Sequence, residues 1–158
     1  MKVGNESKFD FTGQVTVVTW IKVNRFDQNW QDIVTKGDSA WRLQRYRDND
    51  SLEFACSGLK IPSNDPYGSL YGQKSVNDGA WHHVAGVYDG EKMYLYIDGA
   101  VDVSQTASGA IDTNDQPVYI GENSEKTGRC WNGLIDDVRV YNYALSEGRI
   151  TALYNEGK

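Results

Sequence analysis

Two stretches in the middle of the chain constrain its fold more than any other feature. Trp81–Tyr88 is an eight-residue run closed by Asp89-Gly90, and Met93–Ile97 is a second run closed by Asp98-Gly99. Apolar residues alternate through both, which is the period of a half-buried strand rather than of a helix. Asp-Gly supplies the positive φ that a tight turn between antiparallel strands requires. The pair reads as a hairpin.

The same period of two recurs along the chain. In Val15–Val23, the residues Val15, Val17, Ile21 and Val23 share one face. Val18 and Trp20 make the other face partly apolar, so this strand is expected at the centre of a sheet. Asp32–Lys36, Trp41–Arg47 and Leu52–Cys56 follow, the last two joined by Asp48-Asn49-Asp50. Ser69–Val76, Val101–Ala107, Pro117–Gly121 and Leu134–Tyr141 complete the set. Roughly ten to twelve short strands at close spacing predict an all-β antiparallel sandwich. One short C-terminal helix is expected. Ser146 is its N-cap, Leu145 and Ile150 form a hydrophobic staple, Leu153 and Tyr154 share the face of Ile150, and Gly157 stops it.

At 158 residues the chain fits one domain over 1–158. No Pro- or Gly-rich linker and no repeat divides it. It carries a formal net charge of −6 with no cluster of Lys and Arg, which argues against nucleic acid as a partner. No apolar run is long enough for membrane insertion. Met1–Gly4 has none of the apolar core of a signal peptide, and the chain enters its first strand early, as a domain excised from a larger secreted protein would. The two cysteines, Cys56 and Cys130, either form one long-range disulfide or stay as separate thiols.

Several segments together resemble the laminin-G-like, concanavalin A-like jelly-roll family. They are Val17–Lys22, the Trp81–Gly99 hairpin, Tyr119-Ile120-Gly121, and Asn132-Gly133-Leu134-Ile135-Asp136-Asp137-Val138-Arg139-Val140-Tyr141 with the following Asn142–Ser146. They span nearly the whole chain in the family's order. The resemblance implies two curved antiparallel sheets and a lectin-like, non-catalytic module of a secreted or cell-surface protein. For this chain a monomer is expected. The same resemblance implies a polysaccharide or glycan as ligand, with an extracellular protein as the alternative partner. It also implies structural calcium near Leu134–Tyr141. The family's Phe-Asp-Gly stretch would precede Lys2-Val3, outside this sequence.

The residues suggest where such functions would sit. Trp30, Tyr46, Tyr67, Tyr71 and Trp131 lie in or beside loops or on the polar side of a strand. Aromatic rings offer the flat apolar surface that sugar C–H faces stack on. Arg42, Gln44 and Tyr46 share one outward strand face, so they can add hydrogen bonds to that platform. Asp136 alternates with Leu134 and Val138. A carboxylate on an apolar face needs a metal or a hydrogen-bonding partner, and we take it as the calcium candidate. Asp137 is expected on the opposite face. Trp20, Trp41 and Trp81 are expected in the core, and His83 as a buried, hydrogen-bonded histidine. Catalysis is not expected. No two carboxylates are spaced to share one strand face, and no Ser, His and Asp or reactive-Cys motif occurs.

Overall fold

A computed structural model describes residues 1–157. Ten strands form two five-stranded antiparallel sheets. One has the order β10-β1-β6-β7-β8 and the other β5-β4-β3-β2-β9. In chain order the strands are β1 (Val15–Val23), β2 (Asp32–Thr35), β3 (Trp41–Arg45), β4 (Leu52–Cys56), β5 (Ser69–Tyr71), β6 (Trp81–Tyr88), β7 (Lys92–Ile97), β8 (Ala100–Thr106), β9 (Tyr119–Ile120) and β10 (Gly133–Tyr141). A 3-10 turn, Glu6–Phe9, precedes them, and one helix, α1 (Glu147–Glu156), follows. The expected jelly-roll sandwich and its central first strand are both observed.

The core lies between the sheets. Val15, Val17, Ile21, Val84 and Leu95 from one sheet meet Trp41, Leu43, Leu52 and Phe54 from the other. Trp41 is fully buried, and its indole N–H donates to the Phe9 carbonyl at 3.0 Å. Gly86 in β6 shows why the middle of a strand tolerates a glycine. A Cβ there would collide with the Phe54 ring of the facing sheet.

Alternation misleads at one strand. The register between β1 and β10 shifts between Val18 and Trp20, which pair with Arg139 and Asp136. The bulge lies at Asp137, whose φ is +49°. One extra residue reverses the in–out order along the strand. Ile135, Val138 and Val140 all pack on the core, whereas Asp136 and Asp137 both face outward. The two aspartates therefore share a side, against the expectation from simple parity. Other boundaries also differ: β3 ends at Arg45, β5 at Tyr71, and β9 keeps only two residues.

Helix α1 covers the outer face of the first sheet. Ser146 has extended backbone, and its side chain accepts from the Arg149 N–H at 3.3 Å. Leu145, Ile150 and Leu153 bury against Val18, Ala85, Val87 and Tyr96. Beside them Trp20 stacks on Tyr154 at 5.8 Å, and both rings meet His83, with centroids 5.3 and 6.0 Å from the imidazole. Trp20 is thus half-buried under the helix rather than in the core, and Trp81 is 41% exposed. Both are corrections to the core assignment. These side chains alternate away from the core face, and the sequence pattern alone does not say that a helix covers the other side.

A buried cation ties the N-terminus down. Lys36 is fully buried just after β2. Its ammonium lies 3.0 Å from Glu6 Oε2 and 2.9 Å from Asp10 Oδ1, and donates to the carbonyls of Asn114 and Gln116 at 2.7 and 3.1 Å. Both cysteines are free: Cys56 is buried in the core and Cys130 is exposed.

Candidate functional site

The outer face of the second sheet carries no helix, and it is polar. The β3–β4 register sets Gln44 opposite Glu53, and β4–β5 sets Glu53 opposite Tyr71. Arg42, Ala55 and Ser69 form the next row, and Asp32 lies opposite Gln44 on β2. Of these, Arg42, Gln44, Glu53, Ser69 and Tyr71 floor a cleft of about 550 Å³. Three loops wall it: Asp38 after β2, Ser63 to Tyr67 before β5, and Lys126 to Arg129 before β10.

Aromatic rings form one rim. Tyr46 stacks on Tyr71 with centroids 4.2 Å apart, and Trp30 meets Tyr46 edge-on at 6.1 Å. Arg47 lies over both Trp30 and Tyr46, at 5.9 and 5.7 Å. Trp30 and Arg47 both have left-handed backbone, with φ of +61° and +49°. That conformation costs a non-glycine residue about 1–2 kcal/mol. Arg45 helps hold the two loops in place. Its guanidinium donates to the carbonyls of Gln28, Asp48 and Asn49 at 2.6–2.8 Å.

The floor is charged and buried. Arg42, Gln44 and Glu53 are 3%, 1% and 1% exposed. Gln44 Nε2 donates to Glu53 Oε2 at 2.9 Å, and Arg42 Nη2 sits 3.5 Å from Glu53 Oε1. Burial pushes the Glu53 carboxyl above its ordinary range, with Arg42 opposing. Burial raises Asp32 well above its usual value, against the hydrogen bond from Asn123. Asp65 goes the other way. Burial works against its ionisation, yet hydrogen bonds from the Tyr67 N–H and the Ser69 and Tyr71 side chains hold it low. Tyr71, which donates to Asp65 Oδ2 at 2.9 Å, is pushed up to about 12, chiefly by burial. Arg42 Nε and Gln44 Oε1 are buried without a hydrogen-bond partner. Unsatisfied buried polar atoms cost about 1–3 kcal/mol each.

Of the seven side chains that the sequence suggests for ligand contact, Trp30, Arg42, Gln44, Tyr67 and Tyr71 line the cleft. Tyr46 backs Tyr71 from behind. Trp131 is not there. It packs edge-on against Phe26 at 5.7 Å, and both rest on the core. Asp38, Glu53, Asp65, Arg129 and Lys126 line the cleft as well. Only Glu53 had a local signal, since it sits on the polar side of an otherwise apolar strand. The others come from loops that only the fold brings together.

Asp136 lies on the opposite sheet in a depression shared with Trp20, Trp81, Asp137 and Tyr154. Its Oδ1 accepts from the Asp137 N–H at 2.8 Å. Asp137 itself is bound two-pronged by Arg139, at 2.9 and 2.7 Å. Among the described residues no three His, Cys, Asp or Glu side chains gather as a metal site. Of the 6–8 oxygen ligands a calcium ion takes, the carboxylates here supply those of Asp136 and of Asp137, the latter already engaged by Arg139.

Comparison with known proteins places this geometry. An α-L-arabinofuranosidase of Bifidobacterium longum is 30% identical over 89 residues, which is 53% of this chain and 8% of that protein. The chain spans less than a tenth of the length of the curated relatives it matches. Among solved structures, the binding domain of Paraclostridial Mosquitocidal Protein 1 superposes with a TM-score of 0.75 at 19% identity, covering 99% of this chain and 40% of that one. The CBM40 of the Ruminococcus gnavus IT-sialidase, bound to α2,3-sialyllactose, gives 0.72 at 16%, covering 94% and 86%. Domain 4 of AbnA, a GH43 extracellular arabinanase from Geobacillus stearothermophilus in complex with arabinotriose, gives 0.65 at 21%, covering 90% and 67%. A family model matches residues 1–151, nearly the entire sandwich, and with the two-sheet topology it establishes that the chain belongs to the concanavalin A-like lectin/glucanases superfamily.

Proposed function

We propose that this domain is a non-catalytic carbohydrate-binding module whose glycan lies in the cleft on the outer face of β3, β4 and β5. The carrying observation is the pairing of an aromatic rim, Trp30, Tyr46 and Tyr71, with a polar floor of Arg42, Gln44 and Glu53 in one cleft. The rings would stack on sugar C–H faces, and the floor would fix hydroxyl groups. Neighbours of the same fold that hold arabinotriose or sialyllactose support this reading. So do the engaged carboxylates. Glu53 is held by Arg42 and Gln44, Asp38 by Arg129 and Asn123, and Asp65 by Tyr71. A glycosidase needs one of two facing acids free to give a proton.

A secreted or cell-surface setting and a monomeric state belong to this reading. Calorimetry against a panel of plant, algal and microbial glycans tests it. Saturable binding that Trp30→Ala and Tyr71→Ala weaken is expected, and no binding across the panel overturns it. One observation favours a second reading, recognition of an extracellular protein. Exposed Trp81 and Leu134 flank Lys22 in one row on the other sheet. Binding that survives both cleft variants but is lost in Trp81→Ala would favour it.

A further inference from the structure

The cleft does not end at Tyr67. A second depression of about 490 Å³ shares Asp38, Tyr67 and Lys126 with it, so the two form one groove long enough for more than a single sugar. Charge differs along that groove. In a chain of net charge −6, the cleft is lined by four cations, Arg42, Arg47, Lys126 and Arg129, against three carboxylates. Two of the carboxylates are neutralised in place. Asp38 pairs with Arg129 at 3.1 Å, and Glu53 with Arg42 at 3.5 Å. Asp65 is the third, bound by the Tyr71 hydroxyl and the Tyr67 N–H.

Among the described residues, Arg47 and Lys126 have no carboxylate partner. Arg47 is held over the aromatic rim instead. Arg42, nearly fully buried in the floor, keeps its Nε unpartnered. The far depression is opposite in character. Asp112 and Glu125 line it, and Lys126, at the border with the cleft, is its sole cation.

We propose that the groove takes a glycan bearing a single carboxylate-carrying sugar, a uronic or nonulosonic acid. That sugar sits in the cleft, with its carboxylate drawn by Arg47 and Lys126. Neutral sugars run past Tyr67 toward Asp112. A second carboxylate would face Asp112 and Glu125, so a chain acidic at every residue is disfavoured. This rests on the carbohydrate reading of the same cleft.

Titration calorimetry with matched pairs separates the two claims. The probes are glucuronate-capped xylotriose against xylotriose, sialyllactose against lactose, and trigalacturonate. At low salt at least one capped oligosaccharide should bind about tenfold or more tighter than its neutral partner, the value of one charge-assisted contact. Which pair shows the gap tells a uronic from a nonulosonic acid. The gap should narrow as salt screens the exposed cations. It should fall toward unity in the Arg47→Gln/Lys126→Gln double variant, with an unchanged circular dichroism spectrum showing that the fold is intact. Equal or tighter binding of both neutral partners overturns the acidic preference and leaves the carbohydrate reading standing. Tightest binding of trigalacturonate overturns the single-acid arrangement, and a gap that survives in the double variant overturns the assignment to Arg47 and Lys126. No binding of any glycan in the wider panel removes both proposals together.

Discussion

The two outer faces of this sandwich solve the same problem in opposite ways. Behind the first sheet, Val18, Ala85, Val87 and Tyr96 are apolar, and α1 lies on them with Leu145, Ile150 and Leu153. Behind the second, Asp32, Arg42, Gln44 and Glu53 are equally buried but polar, and loops rather than a helix surround them. Burying charge is costly and adds little net stability. Burying an aliphatic face stabilises the fold directly. The difference separates a face devoted to stability from one that keeps polar groups poised at the edge of solvent.

The largest expected effect breaks the polar face. Arg42→Ala leaves the Glu53 carboxylate buried with no cation beside it, only Gln44 and Ser69, and should cost about 3–5 kcal/mol in urea denaturation. Glycan binding should be lost with it. Ile150→Ala tests the other face. It opens a cavity under α1 and should cost about 3 kcal/mol, while leaving glycan affinity within twofold of the parent. If Ile150→Ala weakens binding as strongly as it weakens the fold, the two faces are not independent.

Acidification should pull the two faces in opposite directions. Burial lowers the His83 pKa from 6.5 to about 4, with Asp98 and Asp137 opposing and Arg139 assisting. The unfolded chain then binds the proton more readily. Stability from this face is complete above about pH 6.5 and is lost as pH falls toward 4, by up to roughly 3 kcal/mol. Glu53 and Asp32 have raised pKa values, so their unfavourable burial is relieved as pH falls. Denaturation midpoints from pH 7.5 to 4 should decline in the parent protein. In His83→Gln that decline should vanish or reverse, and an unchanged slope would remove His83 from the account.

Smaller effects sharpen the picture. Trp30→Gly should be about 1 kcal/mol more stable than Trp30→Ala, because glycine adopts the left-handed backbone without strain. Both should lose about tenfold in affinity through the missing ring. Equal stabilities would show that the Trp30 backbone stores no strain. Calcium is the smallest. With no group of three His, Cys, Asp or Glu side chains at Asp136 among the described residues, neither calcium nor EDTA should move the Tm, and a rise with calcium would restore the metal reading.

Alternation and turn chemistry were enough to read the strands from Val15 to Tyr141, the hairpin with its Asp-Gly closures, and the cap and staple of α1. These depend on neighbours in sequence, and their physics is local: a pleat of period two, a positive φ, an N-cap. The same reading reached most of the aromatic rim and Arg42 and Gln44, because each sits on the polar side of its own strand or in an adjoining loop. Only tertiary structure decided the rest. The bulge at Asp137 put both aspartates on one side, and Trp131 turned toward Phe26 instead of the cleft. Lys126, Arg129, Asp38 and Asp65 met across loops far apart in the chain, and Lys36 found its carboxylates nearly thirty residues upstream. Which charges face each other is set by how two sheets stack and where their loops cross, and no periodicity within one strand encodes that.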